Sequence, residues 1–573
     1  MRRSNRTTIL FFFVCLSLWA TCTAQAQAPA GRQQDRFYSS SSEELNRLQD
    51  FFRPSLKANE KVFAGRSNLV SGFGAGASYP QIWLRDSATI IPLSRYYYPL
   101  EYLTSWIEEH LSHQRESGEL YDWIAAGAAG NFIGGAPLAK EVYKGVDAAG
   151  KPVIISADKN STEADQETSA VDAAYQVFQI TGDRSWLTKS INGRPLVSRL
   201  DDSLEYLLKD RFDASHGLIT NAFTADWGDV SPTYADQRAI YLDSKTPVVA
   251  GLYTNALFYR AATQLALMQA AAGSSERASY WRARADTIRA NINKHLWQES
   301  RGFYKLHLLL TPALLPDAPD DSDIFAMGGN AVAALYGVAD ERQAGRIFEV
   351  AERRQREYNI STIGGTLLPP YPRGFFKHPA VSDEYAYQNG GQWDWFSGRF
   401  LLAEFERGYS VRAYKQLLEV ARKCARSGGL HEWNDKSGEA RGSANYAGSA
   451  GVLTAAVVQG LFGVYLNHTR LDLRVRLAQR AARISLRQPS TNSYLSYRYS
   501  YDERRGRITL SYESSARAQQ GRVCILLPQD RRPIALLLDG ARRSYTREAV
   551  GEDRYACALT DWKPHRLELR VAR

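Results

Sequence analysis

The sequence predicts a mainly α-helical protein whose helices form an inner and an outer ring, followed by a small β-sandwich. Two observations predict the rings. Long amphipathic segments follow one another from about residue 98 to residue 465, and apolar segments alternate with charge-rich ones. Such alternation is expected when one layer of helices wraps another. A third observation predicts the sandwich, because after residue 468 the pattern changes to the two-residue period of strands.

The helical segments show apolar residues that recur every three or four positions, as in 253–268. The segments 276–296 and 341–357 instead contain many charged residues. No repeat of about 30–50 residues is visible, which excludes an open solenoid. The clearest helical segments are 98–116, 169–181, 197–210, 253–272, 275–297, 341–358, 391–407, 410–427 and 448–465.

The C-terminal segments 507–512, 522–527 and 566–571 alternate apolar and polar residues, which predicts strands. We therefore assign residues 469–573 to the β-sandwich and residues 27–468 to the helical domain. The role expected for the sandwich is packing against the helices, and a role in sugar binding is the alternative.

The N-terminus has the pattern of a secretory signal peptide. Three arginines precede the apolar run 9–20, and small residues end in Ala-x-Ala spacing at 24–28. The apolar run is too short to span a bilayer stably, which disfavours the alternative of a membrane anchor. We expect residues 1–26 to be cleaved, and the mature protein to be secreted or periplasmic without stable membrane insertion.

Charge and cysteine content exclude further classes. The formal net charge is +10, but Lys and Arg are scattered, so no basic stripe for nucleic acid is predicted. No Cys/His set has zinc spacing, and we expect no metal and no cofactor. Cys524 and Cys557 lie in the predicted sandwich and could pair in an oxidising compartment.

Four loops between predicted helices combine acidic residues with aromatic residues and glycine. Asp, Asn and Gly also favour turns and helix N-caps, so a single loop of this kind is ambiguous. Four such loops in one chain predict a functional site. The loops are 79–87, 224–232, 387–395 and 428–438, and the last precedes an apolar helix that opens at 446–451.

These loops resemble motifs of the inverting glycosidases and phosphorylases with a six-hairpin (α/α)6 barrel, a group that includes neutral/alkaline invertases, trehalases, processing α-glucosidase I and mannosylglycerate hydrolases. Ile82-Trp-Leu-Arg-Asp86 is similar to their W-x-R-D segment, which lines the sugar subsite. Asp226-Trp-Gly-Asp229 is similar to D-W-x-D, whose second Asp donates the proton. Residues 432–438 are similar to the segment of the general base, and residues 387–393 to Y-(H/Q)-N-G-G-x-W. The resemblance spans roughly residues 79–465.

The resemblance implies an (α/α)6 toroid that hydrolyses glycosides with inversion, with Asp229 as the general acid and Glu432 as the general base. Inversion needs one carboxyl group that protonates the leaving oxygen and a second that deprotonates a water. The acid must stay protonated near neutral pH, which a desolvated or acidic neighbourhood favours. Asp226 is the rival for the acid, and its alternative roles are a structural cap or a contact with substrate hydroxyls.

The remaining predicted residues bind substrate. Trp83, Arg85 and Asp86 form the innermost sugar subsite. The rings of Trp227, Trp393 and Trp433 stack on sugar rings, and the side-chain amides of Gln388 and Asn389 form hydrogen bonds with sugar hydroxyls. Core packing of the tryptophans and a structural ion pair of the arginine are the alternatives. The residues are Trp83, Arg85, Asp86, Asp226, Trp227, Gln388, Asn389, Trp393 and Trp433.

The implied substrates are α-linked glucosides or related oligosaccharides. The D-R-R-M-G stretch that follows the invertase acid is replaced by Val230-Ser-Pro-Thr233, which argues against sucrose. Two alternatives stay open. A phosphorylase of this fold lacks the base carboxylate, so Glu432 favours water as nucleophile, whereas a non-catalytic glycan-binding protein would need only the aromatic subsite.

Overall fold

The computed structural model describes residues 36–129, 139–468, 471–477, 481–517 and 519–572. The predicted signal peptide lies outside the described residues. Residues 35–573 group into one unit by their contacts. Within the described ranges, no helix is both long enough and apolar enough to cross a membrane.

The described residues contain fourteen α-helices. Short 3-10 turns occur at Gln49–Phe51, Gln237–Ile240 and Pro312–Leu314, and a π-helical turn occurs at Ala456–Leu461. The helices are α1 (Glu43–Leu48), α2 (Phe52–Asn59), α3 (Leu84–Ser94), α4 (Glu101–Ser112), α5 (Gln166–Thr181), α6 (Arg184–Thr188), α7 (Leu196–Asp210), α8 (Leu252–Ala271), α9 (Ser275–Leu296), α10 (Met327–Tyr336), α11 (Glu341–Glu357), α12 (Asp394–Glu406), α13 (Ser410–Arg426) and α14 (Ala447–Ala455).

Six of these helices contact one another in a closed cycle. In order, α3 packs on α5, α5 on α8, α8 on α10, α10 on α12, α12 on α14 and α14 on α3. Each cycle helix also packs against at least one further helix. The pairs are α3 with α4, α5 with α7, α8 with α9, α10 with α11, α12 with α13 and α14 with α2, and in addition α5 contacts α4 and α8 contacts α7. The sequence explains why some helices belong to the cycle and others pack against it. All residues of α14 are buried, whereas α9 buries only a stripe with three- and four-residue spacing.

A cavity of about 390 Å³ lies within this cycle. All six cycle helices line it, and each contributes residues from one face. Examples, one from each helix, are Thr89, Asp172, Tyr253, Tyr336, Arg399 and Val452.

Local signals set the helix ends. α11 begins after Asp340, whose carboxylate accepts the backbone N–H of Gln343, while the Gln343 side chain accepts the N–H of Asp340. α5 and α10 end at Gly182 and Gly337, which have left-handed φ angles of 66° and 89°. These caps stop the helices where the loops to the next elements begin.

The helix predicted for 448–465 is wrong in its second half. α14 ends at Ala455, the π-helical turn follows, and Val464–Leu466 is a strand. Gly463 separates turn from strand with a φ of 68°, a conformation that a residue with a side chain rarely adopts. The chain therefore turns into the sheet region instead of continuing the helix.

Two larger sheets contain most of the C-terminal region. The seven-stranded sheet has the order Tyr38–Ser40, Ala481–Arg487, Tyr494–Asp502, Arg507–Ser514, His565–Ala572, Arg532–Leu538, Ala541–Arg543. The five-stranded sheet has the order Val464–Leu466, Leu471–Val475, Gly521–Leu526, Asp553–Thr560, Thr546–Val550. One strand from the N-terminal region and one from before residue 469 thus join these sheets. Cys524 and Cys557 are register partners in the second sheet and form a disulfide bond.

Smaller sheets connect the helices. A four-stranded sheet has the order Ile82–Trp83, Trp123–Ala126, Pro152–Asp158, Lys140–Val146. A three-stranded sheet consists of Asn221–Ala222, Val248–Gly251 and His307–Leu309. The two-stranded pairs are Glu60–Ala64 with Leu69–Phe73, Ser190–Ile191 with Arg194–Pro195, Phe212–Asp213 with Leu218–Ile219, Trp297–Gln298 with Phe303–Tyr304, Phe325–Ala326 with Leu367–Leu368, and His431–Asn434 with Ala440–Ala444.

Candidate active site

A cavity of about 440 Å³ lies at the end of the cycle where its helices begin. Its lining comes from the first turn of α3 and from the loops before α5, α8, α12 and α14. Aromatic rings and carboxyl groups dominate the described lining. The aromatic residues are Tyr79, Trp83, Trp123, Trp227, Tyr387, Trp393, Trp395 and Tyr446, and the acidic residues are Asp86, Asp122, Asp158, Glu163, Asp229 and Glu432.

Arg85 organises one wall of this cavity. Its Nε and Nη2 donate to the two carboxylate oxygens of Asp165, at 2.9 and 3.0 Å. Nη1 donates to Oδ1 of Asp229 at 3.1 Å, and Nη2 lies 2.5 Å from Oε2 of Glu163. A planar guanidinium suits such multiple contacts, and the buried position strengthens them. Arg85 therefore fixes the positions of three carboxyl groups.

Asp229 lies in the loop before α8 and faces the cavity. Its Oδ2 accepts a hydrogen bond from the Tyr387 hydroxyl at 3.2 Å, and its backbone N–H donates to Gln388 at 3.1 Å. Its backbone carbonyl accepts hydrogen bonds from Asn160 and Thr162. Burial tends to raise the pKa of Asp229, but Arg85 and hydrogen bonds outweigh it and lower the pKa below the ordinary value.

Glu432 lies across the cavity, in the strand His431–Asn434. The register of this strand shifts between His431 and Trp433, and such irregularities re-aim a side chain. The Tyr79 hydroxyl donates to Oε1 at 2.8 Å, and the backbone N–H of Ser443 donates to Oε2 at 2.9 Å. Burial raises the pKa of Glu432 to about 7 although both hydrogen bonds lower it.

Gly442 permits this position of Glu432. Its φ is 66°, and a Cβ atom there would lie 2.6 Å from Oε2 of Glu432. A larger residue would push the carboxylate away, so glycine is required on steric grounds.

Asp86 and Trp83 line the same cavity as Glu432, and the charge of Asp86 acts on Glu432. Oδ1 of Asp86 accepts a hydrogen bond from Tyr446 at 2.5 Å, and burial raises the pKa of Asp86. The Trp83 ring lies 6.1 Å from the Trp123 ring, and among the described residues its indole N–H has no hydrogen-bond partner. Both groups can therefore contact a ligand in the cavity.

Trp227 and Trp393 form part of the cavity wall and are almost completely buried. Their ring centres are 5.3 Å apart in an edge-to-face arrangement, and Trp227 also packs on Phe396. The indole N–H of Trp393 donates to the backbone carbonyl of Tyr387. These two rings therefore combine core packing with a place in the lining.

Three predicted residues do not line this cavity. Asp226, with a φ of 61°, turns away from it, and its Oδ2 accepts the backbone N–H of Gly329 at the start of α10. Burial raises the pKa of Asp226 to about 7. Asn389 holds Tyr371 through two hydrogen bonds to its backbone, and Trp433 packs behind Tyr387 at 6.3 Å.

Several lining residues were not among those predicted. Asp122 lies in the loop just before the strand Trp123–Ala126, and Asp158 ends the strand Pro152–Asp158. Glu163 comes from the loop before α5, and His378 from the loop before α12. Three acids within five residues, at positions 163–167, are the local signal that could have identified Glu163. Asp122 and Asp158 have no such signal.

The described residues offer one candidate group of metal ligands. Within them, the group compact enough to hold an ion is Cys524, Glu548 and Cys557. The disulfide bond between the two cysteines leaves no thiolate ligand there. At the cavity, the carboxyl groups instead bind guanidinium, hydroxyl and backbone N–H groups.

Comparison with known proteins places the chain in a family of glycoside hydrolase domains. Residues 79–449 match the family described as mannosylglycerate hydrolase MGH1-like glycoside hydrolase domain, and the chain belongs to this family. The match contains the four loops and every predicted site residue. No curated protein sequence matches the chain.

Solved structures share the fold at low sequence identity. The α-L-rhamnosidase from Dictyoglumus thermophilum has a TM-score of 0.58 with 12% identity, over 93% of this chain and 50% of that one. The GH78 rhamnosidase of Bacillus sp. GL1 has a TM-score of 0.55 with 16% identity, over 86% of this chain and 42% of that one. The chain thus spans half or less of these relatives. A GH63 mannosylglycerate hydrolase from Thermus thermophilus has a TM-score of 0.48 with 16% identity, over 71% and 99% of the two chains.

Proposed function

We propose that this glycoside hydrolase inverts the anomeric centre, with Asp229 as general acid and Glu432 as general base. The observation that carries the proposal is that these two carboxyl groups line one cavity from separate segments of the chain, the loop before α8 and the strand His431–Asn434. Each has its own partners, Arg85 and Tyr387 for Asp229, and Tyr79 and Ser443 for Glu432. No hydrogen bond joins them among the described residues. Inversion requires such a separated pair, with space for the sugar and a water between them.

The pKa directions favour a second assignment, in which the two roles are exchanged. Glu432 titrates at about 7, whereas the pKa of Asp229 is lowered. The carboxyl group with the higher pKa commonly serves as the acid. The resemblance of residues 226–229 and 432–438 to the acid and base segments of the (α/α)6 glycosidases favours the first assignment.

The arrangement of the helices supports an (α/α)6 toroid as the scaffold of the proposed function. The closed cycle of six helices would be the inner ring, and the six helices that pack against it the outer ring. The axial cavity lined by all six cycle helices fits this proposal. We further propose that residues 27–468 form the catalytic domain, that residues 469–573 form the sandwich, and that the protein is exported.

The cavity supports a neutral α-linked glucoside or a related oligosaccharide as substrate. Eight aromatic residues line it and offer rings to the apolar faces of sugars. Six lining residues carry carboxyl groups and only one carries a guanidinium, which Asp165 already binds through both its oxygens. A substrate carboxylate would meet repulsion there. We therefore expect a neutral oligosaccharide to be cleaved faster than mannosylglycerate, the substrate named in the family description.

The experiment is a substrate panel followed by proton NMR. Residues 27–573 are incubated with α- and β-linked oligosaccharides and with mannosylglycerate, and the anomer formed first is recorded. Inversion, together with a loss of about 100-fold or more in Asp229→Asn and Glu432→Gln, is the expected result. If the product formed first keeps the anomeric configuration of the substrate, the proposed role of Glu432 in activating water is rejected. Cleavage only with added phosphate would indicate a phosphorylase, and binding without turnover a glycan-binding protein.

A second measurement assigns the two roles. α-D-Glucosyl fluoride needs little protonation of its leaving group, so loss of the general acid matters less for it than for an oligosaccharide. We expect Asp229→Asn to recover most activity on the fluoride and Glu432→Gln to stay inactive. The opposite pattern would establish the exchanged assignment.

A further inference from the structure

We propose that Glu163 and Asp229 share one proton, and that Glu163 holds the proton of the general acid in the resting enzyme. The proposal rests on the proposed role of Asp229 as acid. It addresses a conflict in the site: an acid must carry a proton, yet Asp229 binds Arg85 directly.

The geometry couples the two carboxyl groups in three ways. Glu163 and Asp229 both bind the guanidinium of Arg85 and both line the cavity. The Nδ2 of Asn160 donates to Oε1 of Glu163 at 3.1 Å and to the backbone carbonyl of Asp229 at 3.0 Å. The two carboxyl groups also lie close enough to interact as hydrogen-bond partners, and this interaction lowers the pKa of Asp229. Two carboxyl groups can form a hydrogen bond only when one of them is protonated.

The local charges require a bound proton. Five carboxyl groups, those of Asp86, Asp122, Glu163, Asp165 and Asp229, interact with Arg85, which supplies a single positive charge. A further cation, Lys159, acts on Asp122 but lies 2.9 Å from Glu167 and is paired there. Like charges in a buried site disfavour full ionisation, so protons remain bound.

The directions of the pKa shifts place the proton on Glu163. Burial raises the pKa of Glu163 well above its ordinary value, although Arg85 lowers it. Burial likewise raises the pKa of Asp122 to about 8. The pKa of Asp229 is instead lowered. At neutral pH, Glu163 is therefore the donor and Asp229 the acceptor of their hydrogen bond.

The catalytic step then has a complete proton balance. When the glycosidic oxygen binds at Asp229, the proton of Glu163 moves to Asp229, which transfers it to that oxygen as the bond to the anomeric carbon breaks. A water forms the new bond to the anomeric carbon and loses a proton to Glu432. After product release, solvent carries one proton from Glu432 back to the Glu163–Asp229 pair.

The charges that face this pair belong to several elements. Arg85, Asp122 and Asp165 face Glu163, and a wider set of groups faces Asp229. That set is Tyr79, Arg85, Asp86, Asp122, Glu163, His378, Tyr387 and Glu432. Glu432 titrates at about 7, so it governs the acid limb of the activity profile, and the proton of the pair governs the alkaline limb.

The test is Glu163→Gln, which preserves size and hydrogen bonding but removes the transferable proton. We expect the alkaline limb of kcat/KM to move to lower pH, with a loss of about 10- to 100-fold at pH 7 on an oligosaccharide. Lower pH should restore part of the activity, and the loss on α-D-glucosyl fluoride should be small. Glu404→Gln is the matched control, since Glu404 is a buried glutamate of α12 outside the cavity, and it should leave the profile unchanged.

Infrared spectroscopy tests the proton itself and needs no turnover. Wild type at pH 7 should show a protonated carboxyl band that disappears in Glu163→Gln and changes frequency in Asp229→Asn. An unchanged pH profile in Glu163→Gln, or the absence of such a band, would overturn the proposal. Failure of the proposed function is recognised separately, by full activity of Asp229→Asn on oligosaccharides.

Discussion

Replacement of Tyr79 by Phe should shift the acid limb of the activity profile to higher pH. The Tyr79 hydroxyl donates to Oε1 of Glu432 at 2.8 Å and lowers the pKa of that carboxyl group, which burial holds at about 7. Phe keeps the ring but removes the donor. The ionised form of Glu432, which the proposed base requires, therefore loses one of its two hydrogen bonds.

The magnitude follows from the free energy of that bond. A hydrogen bond to a charged group contributes about 1.5 kcal/mol at the lower end of the usual range. One pKa unit corresponds to about 1.4 kcal/mol, so the pKa of Glu432 should rise by about one unit, from about 7 to about 8. The ionised fraction at pH 7 then falls about fivefold, whereas at pH 9 it changes by only about 10%.

The assay is kcat/KM as a function of pH, which reports the pKa values of the free enzyme. The matched control is Tyr241→Phe, because Tyr241 donates to Asp158 of the same cavity and not to Glu432. An acid limb that stays near pH 7 in Tyr79→Phe would refute the reasoning. A loss of kcat/KM by the same factor at every pH would also refute it, because it would indicate that Tyr79 acts on the substrate instead of on Glu432.

Two further predictions concern Asp226 and the disulfide bond. Asp226→Asn should keep kcat/KM within about threefold of wild type, because Asp226 binds the start of α10, while Asp229→Asn loses about 100-fold or more. Burial raises the folded-state pKa of Asp226 to about 7, so its contribution to the free energy of unfolding is present at pH 4 and is lost as pH rises to 7. Urea unfolding of Asp226→Asn should lack this dependence, and an identical pH slope would contradict the placement. The disulfide closes a loop with a sequence separation of 33, and its replacement by alanines should lower the free energy of unfolding by about 3–4 kcal/mol without changing KM. An unchanged urea midpoint would contradict that.

Periodicity located the helices that have one exposed face. Segments 275–297, 341–358 and 410–427 agree within one residue at each end with α9, α11 and α13. By contrast, α3 and α10 were not predicted as helices, although both belong to the cycle. They are short and almost entirely buried, with a proline in α3 and two glycines near the start of α10. A helix without a polar face has no amphipathic period to detect.

By itself, the sequence predicted which loops contribute residues to the candidate active site. Local composition was enough to select the four loops, because acids beside aromatic residues and glycine are visible in any short window, and the family resemblance then singled out Arg85, Asp229 and Glu432. The sequence also shows that a turn separates Asp226 from Asp229, but it does not show which way each side chain points. Only the folded backbone, with a φ of 61° at Asp226, decided that these two carboxyl groups face different partners.

The tertiary structure alone decided which charged groups meet in the site. Glu163, Asp122 and Asp229 come from three separate loops, and they meet around Arg85 only in the folded chain. A pKa depends on burial and on charges within a few ångströms, whichever part of the chain supplies them. Residue types can therefore be predicted from local sequence, whereas the position of the proton among them follows from contacts between distant segments.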